Sequence, residues 1–266
     1  MVLCIAGSDC TAGAGIQADL KTCAALGVYA ATAVTAVTAQ NHRGLHAARY
    51  VGDVMLRAQL ENVAECMDVA AVKIGMVPCA EAARVIGSFL ASAAPRHVVF
   101  DPVLAATAGG SLTGDTDATA DAALRHILPH VDVLTPNEKE LYRLARRPAT
   151  DPADATARAF AARYGLRALL VTGGDAGGDV CTDTLWLDDR EAPVQYSMPR
   201  IDSLHTHGTG CTLSSAIAAC LALGLSVTDA VAQAKRFTAR AIENGASHPV
   251  MSEYGPVKQS AMSVTE

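Results

Sequence analysis

Short, fully apolar runs alternate with longer helical patterns from residue 1 to about residue 172 of this chain of 266 residues. The run Val98-Val99-Phe100 is apolar at every position rather than at alternate positions, which is typical of strands that are buried on both faces. Strands of this kind, alternating with helices, form parallel sheets that helices cover on both sides. We therefore predict an α/β fold of three layers, α/β/α, with a mostly parallel central sheet.

The predicted elements follow one another along the chain without a dividing linker. The predicted strands are Val2–Ala6, Ala33–Ala39, Ala70–Ile74, Val98–Phe100, Val131–Leu134, Ala168–Thr172, Val180–Leu187 and Pro193–Met198. The predicted helices are Ile16–Ala25, Val51–Met67, Ala80–Ala93, Ala118–Leu128, Glu138–Ala145, Pro152–Tyr164, Cys211–Leu223 and Val227–Asn244. Residues 180–198 form two strands around a turn, which predicts an antiparallel addition at one end of the sheet. We expect residues 1–266 to form a single domain.

Composition limits the classes of function that the chain can have. Hydrophobic residues make up 50% and charged residues 18%, which is typical of a globular domain and not of a disordered chain. The formal net charge is −6 and no basic stripe occurs, so we expect no nucleic-acid partner. No apolar run reaches membrane-spanning length, and the start of the chain does not resemble a signal peptide. The 8 cysteines are scattered without a Cys-x-x-Cys pair, which favours reduced thiols and a cytoplasmic location.

The glycine-rich turn from His207 to Thr212 is the most informative functional motif, because it directly precedes a long apolar helix. Gly208 and Gly210 can bring backbone N–H groups close to a ligand, and a helix N-terminus favours an anion such as phosphate. Cys211 lies where the turn becomes the helix, a position that lowers the pKa of a thiol. An anion site beside an ionisable thiol favours phosphoryl transfer, while a glycine-capped helix start with a small buried cysteine is the plain alternative.

Polar or glycine residues directly follow six of the predicted strands. Open α/β sheets bind ligands beyond the carboxyl ends of their strands. The six segments are Gly7-Ser8-Asp9, Thr38-Ala39-Gln40-Asn41, Gly75-Met76, Asp101-Pro102-Val103, Thr135-Pro136-Asn137 and Thr172-Gly173-Gly174. Each segment alone is explained by loop formation, but together they predict a ligand cleft.

The first loop leads through Gly13-Ala14-Gly15 into a helix, and its glycines permit a close approach to a flat ligand. Asp19 lies one turn inside that helix, where a carboxylate could bind a hydroxyl or an amine. The spacing matches neither a P-loop nor the Gly-x-Gly-x-x-Gly pattern. A helix that merely packs behind a glycine-rich entry is an equally good interpretation.

Asn137 and Glu140 begin the next informative helix. Asn137 is a good N-cap with a glutamate three residues on, which predicts a capping box. The same two side chains could face the cleft and hold Mg²⁺ through its waters, and both interpretations can be true together. Asp101 precedes a proline and either shapes the loop or helps to order the metal. Lys235 lies on the last long helix, where a lone lysine is most often solvated.

A set of longer segments gives this chain a family resemblance. They are Ala6-Gly-Ser-Asp9, Gly13-Ala-Gly-Ile-Gln-Ala-Asp-Leu-Lys-Thr22, Thr35-Ala-Val-Thr-Ala-Gln-Asn41, Lys73-Ile-Gly-Met76, Asp101-Pro-Val103, Leu134-Thr-Pro-Asn-Glu-Lys-Glu140 and Thr206-His-Gly-Thr-Gly-Cys-Thr212. In this order they resemble the hydroxymethylpyrimidine/phosphomethylpyrimidine kinases of thiamine biosynthesis, in the ribokinase-like superfamily. The resemblance covers nearly the whole chain.

The resemblance implies two successive ATP-dependent phosphorylations, first of 4-amino-5-hydroxymethyl-2-methylpyrimidine and then of its monophosphate. It implies that the small-molecule substrate lies near Gly7, Ala14, Asp19, Gln40, Met76 and Val103. It implies an anion hole at Gly208, Thr209, Gly210 and the amide of Cys211, with Cys211 as the reactive thiol. It implies that Thr172, Gly173, Thr209 and Lys235 contact the nucleotide and that Asn137, Glu140 and Asp101 order Mg²⁺. Homodimers are common in this family.

The chain departs from the family pattern at Cys10-Thr11-Ala12, at Thr172 and over residues 104–110, which retain Thr107. A pyridoxal kinase is the nearest alternative, since its substrate is also a heterocycle with a hydroxymethyl group. A sugar or nucleoside kinase ranks lower, because such kinases resemble this chain but have Asp where Cys211 stands. A pyrimidine-binding regulator without activity is the alternative outside enzymes.

Overall fold

The computed structural model describes residues 1–41, 44–103, 116–250 and 254–259. Its strands are β1 Val2–Asp9, β2 Ala30–Asn41, β3 Gly44–Tyr50, β4 Ala71–Ile74, β5 His97–Phe100, β6 Val133–Leu134, β7 Ala168–Val171, β8 Val180–Leu187 and β9 Val194–Pro199. Its α-helices are α1 Gly15–Ala25, α2 Asp53–Cys66, α3 Ala80–Ala93, α4 Thr116–His126, α5 Glu138–Ala145, α6 Ala153–Tyr164, α7 Thr209–Ala222 and α8 Val227–Ser247. A short 3-10 helix, Leu128–His130, follows α4. Residues 104–115, with Thr107, lie outside the described residues.

Within the described residues, nine strands form one sheet in the order β3-β2-β1-β4-β5-β6-β7-β8-β9. The six strands from β2 to β7 in this order are parallel to one another. Strand β8 is antiparallel to β7, and β9 is antiparallel to β8. The predicted α/β/α fold and the antiparallel addition at residues 180–198 are confirmed.

A further antiparallel strand stands at the other end of the sheet. Strand β3 pairs with β2 and was not predicted from the sequence. Most of its residues are exposed, and it includes His46 and Arg49. An edge strand has a neighbour on one side only and needs no apolar run, so the pattern that identifies the central strands does not identify this one.

Successive residues of the central strands pack on opposite faces of the sheet. Val2 and Cys4 of β1 belong to the core that α1, α7 and α8 cover. Leu3 and Ile5 belong to the core formed with α2 to α6. Both faces are therefore buried, which is why these strands are apolar at every position.

Two strands extend further than the sequence predicts. Strand β1 continues to Asp9, where it still pairs with Thr38. Strand β2 continues to Asn41, because its last residues pair with β3. The polar segments that end in Asp9 and Asn41 thus belong to strands rather than to loops. Among the described residues, no helix combines the length and the apolar character needed to cross a membrane.

Candidate active site

The carboxyl ends of the parallel strands lie side by side along one edge of the sheet. The amide of Gly75 donates to Ile5 O at 2.9 Å, and the amide of Asp101 donates to Ile74 O at 2.8 Å. The series continues with Thr135 N to Phe100 O at 2.9 Å and Thr172 N to Pro136 O at 3.0 Å. With the segment from Thr38 to Asn41, which pairs beside Asp9, all six predicted polar segments follow one another along this edge, as expected for a cleft.

The first loop and the glycine-rich turn touch each other directly. Gly208 has φ of +85° and caps α7, and a Cβ on it would lie 2.0 Å from Gly13 O. A Cβ on Gly13 would lie 2.3 Å from His207 Cδ2. Only glycine permits this approach at either position. The two segments that the sequence singled out separately thus form one continuous surface.

The residues expected around a heterocycle occupy the neighbouring strand ends. A Cβ on Gly7 would lie 2.6 Å from Met76 Sδ, so the absence of a side chain at Gly7 lets Met76 pack there. The Met76 carbonyl accepts a 2.8 Å bond from the buried Thr35 hydroxyl. Gln40, at the end of β2, accepts a hydrogen bond on its carbonyl from Cys10 Sγ at 3.4 Å.

Ala14 and Val103 lie on the loops on either side of β4. Ala14 is the N-cap residue of α1, and its amide donates to Asp9 Oδ2 at 2.9 Å. Val103 is partly exposed and its amide donates to Asp101 O. Both residues lie at the sheet edge that carries Gly7 and Met76.

Asp19, which the resemblance places near the substrate, is buried beneath the glycine-rich turn. Its side chain is 0% exposed and forms a 2.8 Å ion pair with the equally buried Lys73. The same oxygen, Oδ1, accepts a 2.7 Å bond from Ser215 Oγ. Burial alone raises the pKa of Asp19, and Lys73 opposes that shift. The residue holds α1, β4 and α7 together beneath the turn, a role that no local pattern predicts.

Cys211 is a thiol and not the thiolate that its position at the start of α7 suggests. Burial raises its pKa to about 12, and the carboxylates of Asp19 and Asp101 act in the same direction. The ammonium of Lys73 and the amide of Gly15 lower the pKa but do not prevail. The expected depression of the thiol pKa is therefore wrong, because loss of solvation outweighs the helix terminus at this depth.

Asp101 lies beneath the glycine-rich turn. It is 6% exposed and accepts a 3.1 Å bond from Ser214 Oγ on Oδ2. A Cβ on Gly210 would lie 3.7 Å from the same oxygen. Burial raises the pKa of Asp101, while Lys73 and Ser214 lower it.

The predicted capping box at the start of α5 is confirmed. Asn137 Oδ1 accepts from the amide of Glu140 at 2.9 Å, and Glu140 Oε2 accepts from the amide of Asn137 at 2.9 Å. Asn137 also pairs with Thr172 at the end of β7. No group of three or more His, Cys, Asp or Glu in the described ranges could hold a metal ion. The side-chain oxygens of Asn137 and Glu140 are the type of ligand that suits a Mg²⁺ that keeps most of its waters.

Lys235 is buried and not solvated as a lone helical lysine would be. It is 8% exposed and pairs with Asp183 Oδ2 at 2.9 Å. The other oxygen of Asp183 accepts the amide of Gly173 at 2.9 Å. Asp183 therefore links the lysine of α8 to the loop after β7. Sequence reasoning missed Asp183, although its charge at a buried position of β8 is a signal for a partner.

Arg200 is a second residue that sequence reasoning missed. It follows β9, and its guanidinium donates to carbonyls of the loop after β7. These are Gly178 O at 2.7 Å, Gly174 O at 2.9 Å, Gly173 O at 3.5 Å and Ala176 O. The planar fork of an arginine suits such a set of acceptors. Arg200 thus determines the shape of the loop that contains Gly173.

The chain is similar to known proteins over nearly its whole length. The family model of phosphomethylpyrimidine kinase matches residues 9–258. The hydroxymethylpyrimidine/phosphomethylpyrimidine kinase of Rhizobium meliloti is 43% identical over 97% of this chain and 96% of its own length. The chloroplastic thiamine biosynthetic bifunctional enzyme of Arabidopsis thaliana is 41% identical over 91% of this chain and 46% of its own length. The solved ADP complex of Bacillus subtilis pyridoxal kinase matches with a TM-score of 0.86 and 32% identity over 98% of this chain and 97% of that one. The chain belongs to the phosphomethylpyrimidine kinase family.

Proposed function

We propose that this protein transfers the γ-phosphoryl group of ATP to 4-amino-5-hydroxymethyl-2-methylpyrimidine and then to its monophosphate, in thiamine biosynthesis. One observation carries the proposal: the glycine-rich turn before α7 contacts the loop between β1 and α1 at Gly13 and Ala14. A phosphoryl group at the turn and a heterocycle at the strand ends are thereby neighbours. Membership of the phosphomethylpyrimidine kinase family supports the same substrate class.

The heterocycle is bound between Gly7, Ala14, Gln40, Met76 and Val103. The Gln40 amide can donate to a ring nitrogen and accept from the 4-amino group. Met76 offers a polarizable apolar face to the ring, and Thr35 holds its backbone in place. Asp19 acts from below by pairing with Lys73 and does not contact the ring.

The transferred phosphoryl group lies at the backbone N–H groups of Gly208, Gly210 and Cys211, because the amide of Thr209 already donates to Thr206 O at 3.2 Å. Such transfers depend mainly on positioning and on stabilising negative charge. Thr172 and Gly173 contact the nucleotide at the end of β7, and Lys235 supports them through Asp183. Asn137, Glu140 and Asp101 would hold a Mg²⁺ through its waters, and the ion would neutralise phosphate charge.

Cys211 takes the hydroxyl proton of the first substrate in this proposal. Since the resting thiol is protonated, it can accept the hydroxyl proton only while it passes its own proton to an oxygen of the transferred phosphoryl group. A loose transition state needs little help from a base, so such a relay agrees with the raised pKa of Cys211. The second step has a phosphate nucleophile and needs Cys211 less.

An ATP-consumption assay with hydroxymethylpyrimidine, its monophosphate and pyridoxine tests the proposal. We expect turnover of the first two, and Cys211→Ala to impair the first step more than the second. Equal loss in both steps would assign Cys211 to packing. A preference for pyridoxine would favour a pyridoxal kinase, which the fold of the Bacillus subtilis enzyme supports. Turnover of none of the three would favour a pyrimidine-binding regulator without activity.

We also propose a homodimer in the cytoplasm. Among the described residues, strand β3 has only β2 as a neighbour. Val37 on β2 and Val54 and Met55 at the start of α2 are 56%, 85% and 56% exposed. Apolar side chains beside an edge strand suit a self-complementary contact, which light scattering of the purified protein tests.

The cysteines support the proposed cytoplasmic location. All 8 are free thiols, as in proteins of reducing compartments.

A further inference from the structure

The Asp9 carboxylate collects hydrogen bonds from two segments that are far apart in the chain. It is 1% exposed. In the first loop, it accepts hydrogen bonds from the amides of Thr11 at 2.9 Å, Gly13 at 3.2 Å and Ala14 at 2.9 Å, and from the Thr11 hydroxyl. In the glycine-rich turn, it accepts a hydrogen bond from His207 Nε2 at 3.0 Å. Because an ionised carboxylate only accepts, Nε2 carries the proton.

Asp9 is ionised in this arrangement. Burial alone would raise its pKa, but the bonds from His207, Thr11 and Ala14 outweigh burial and hold the pKa below its ordinary range. Charge-assisted hydrogen bonds of this kind are about twice as strong as neutral ones. The loop and the turn are thus joined by a charged contact in addition to the contact between Gly13 and Gly208.

The histidine is held from its other side as well. The amide of His207 donates to Gly255 O at 3.2 Å, and the amide of Val257 donates to His207 O at 3.1 Å. The Tyr254 ring centroid lies 6.4 Å from that of His207. Its backbone therefore has little freedom, and its side chain transmits that position to Asp9.

We propose that Asp9 and His207 form a positioning pair, which holds the loop around Ala14 in register with the anion-binding turn at Gly208 to Cys211. The inference rests on the proposed function only in assigning the heterocycle to the loop and the phosphoryl group to the turn. Neither residue takes part in the chemistry. Their effect is on the distance between the two reacting groups, where an error of about 1 Å can cost roughly 100-fold in rate.

Two substitutions of the histidine separate positioning from folding. His207→Phe keeps a ring of similar size but loses the donor, and His207→Gln keeps an N–H donor. Asp132→Asn serves as a matched control for Asp9→Asn. Asp132 also accepts a backbone amide, Val98 N at 2.8 Å, and an arginine, but at the opposite edge of the sheet.

We expect His207→Phe and Asp9→Asn to lower kcat of the first step by about 10-fold to 100-fold, while KM for ATP stays near the wild-type value. His207→Gln should regain most of kcat, and Asp132→Asn should lower only the melting temperature. Equal kcat in His207→Phe and His207→Gln would overturn the inference, as would a loss of kcat that merely tracks the melting temperature.

Hydrogen exchange of residues 9–15 tests the pair without any turnover. The amides of Thr11, Gly13 and Ala14 should exchange faster in His207→Phe than in His207→Gln and the wild type. Unchanged exchange would refute the pair. If the wild type phosphorylates no pyrimidine but the exchange differs as expected, the proposed function fails and the positioning pair stands.

Discussion

Replacing Lys73 by methionine is expected to leave a buried carboxylate without its counter-ion. Lys73 and Asp19 are both 0% exposed and 2.8 Å apart. Removing one partner of such a pair costs about 3–5 kcal/mol of folding free energy, because the remaining charge stays desolvated. At about 2–4 °C per kcal/mol for a chain of this size, the melting temperature of Lys73→Met falls by roughly 10 °C.

The loss should depend on pH in a defined direction. Burial already raises the pKa of Asp19, and Lys73 opposes that shift, so Lys73→Met raises the pKa further. A carboxyl whose pKa is raised in the folded state binds a proton more readily there than in the unfolded chain. The deficit of Lys73→Met is therefore full above that raised pKa and shrinks as the pH falls towards the ordinary aspartate value.

Urea unfolding of three variants provides the measurement. Lys139→Met is the matched control, since it breaks an exposed ion pair with Asp175 at 3.3 Å and should cost less than about 1 kcal/mol. The double variant Lys73→Met with Asp19→Asn removes the stranded charge and should regain about 2 kcal/mol or more. A Lys73→Met deficit no larger than that of Lys139→Met, or a double variant less stable than Lys73→Met, would refute the reasoning.

Three further predictions concern the turn, the nucleotide loop and the thiol. In thermal unfolding, Gly208→Ala should destabilise the protein far more than Gly27→Ala. A Cβ at position 208 would meet the Gly13 carbonyl, whereas a Cβ at position 27, where φ is +73°, would meet nothing within 4 Å. Gly27→Ala therefore costs only about 1 kcal/mol of backbone strain. Equal losses would contradict the contact. Arg200→Lys should raise KM for ATP by about 10-fold in steady-state kinetics while KM for the pyrimidine holds, since a point charge cannot serve several carbonyls; parallel changes would oppose this. With the Cys211 pKa at about 12, wild type and Cys211→Ser should share one shape of pH–rate profile from about pH 6 to 9; a limb unique to the wild type would indicate a thiolate.

Local pattern was sufficient for the layers of the fold and for the line of strand ends. Four neighbouring apolar residues, Val2 to Ile5, predict a buried strand, and in the fold they are buried alternately on the two faces of the sheet. The capping box at Asn137 and Glu140 likewise depends on residues three positions apart. Such features are visible in a sequence because their physical cause lies within one turn or one strand.

The states of the charged groups depended on partners elsewhere in the chain. Asp19 reads as a cleft carboxylate until Lys73, 54 residues away, and Ser215, 196 residues away, are seen to bind it. The sequence predicts a solvated Lys235, but in the fold it forms an ion pair with Asp183. Strand β3 has no apolar run that would predict it, and only its pairing with β2 makes it a strand.

Cys211 shows the division most clearly. The sequence around it determined that a thiol follows two glycines at the start of an apolar helix, and hence that an anion and a thiol are neighbours. Only the tertiary structure decided the protonation state of that thiol, because burial and the carboxylates of Asp19 and Asp101 raise its pKa. Desolvation and the charge of distant residues act through space, and the order of residues along the chain does not encode either of them locally.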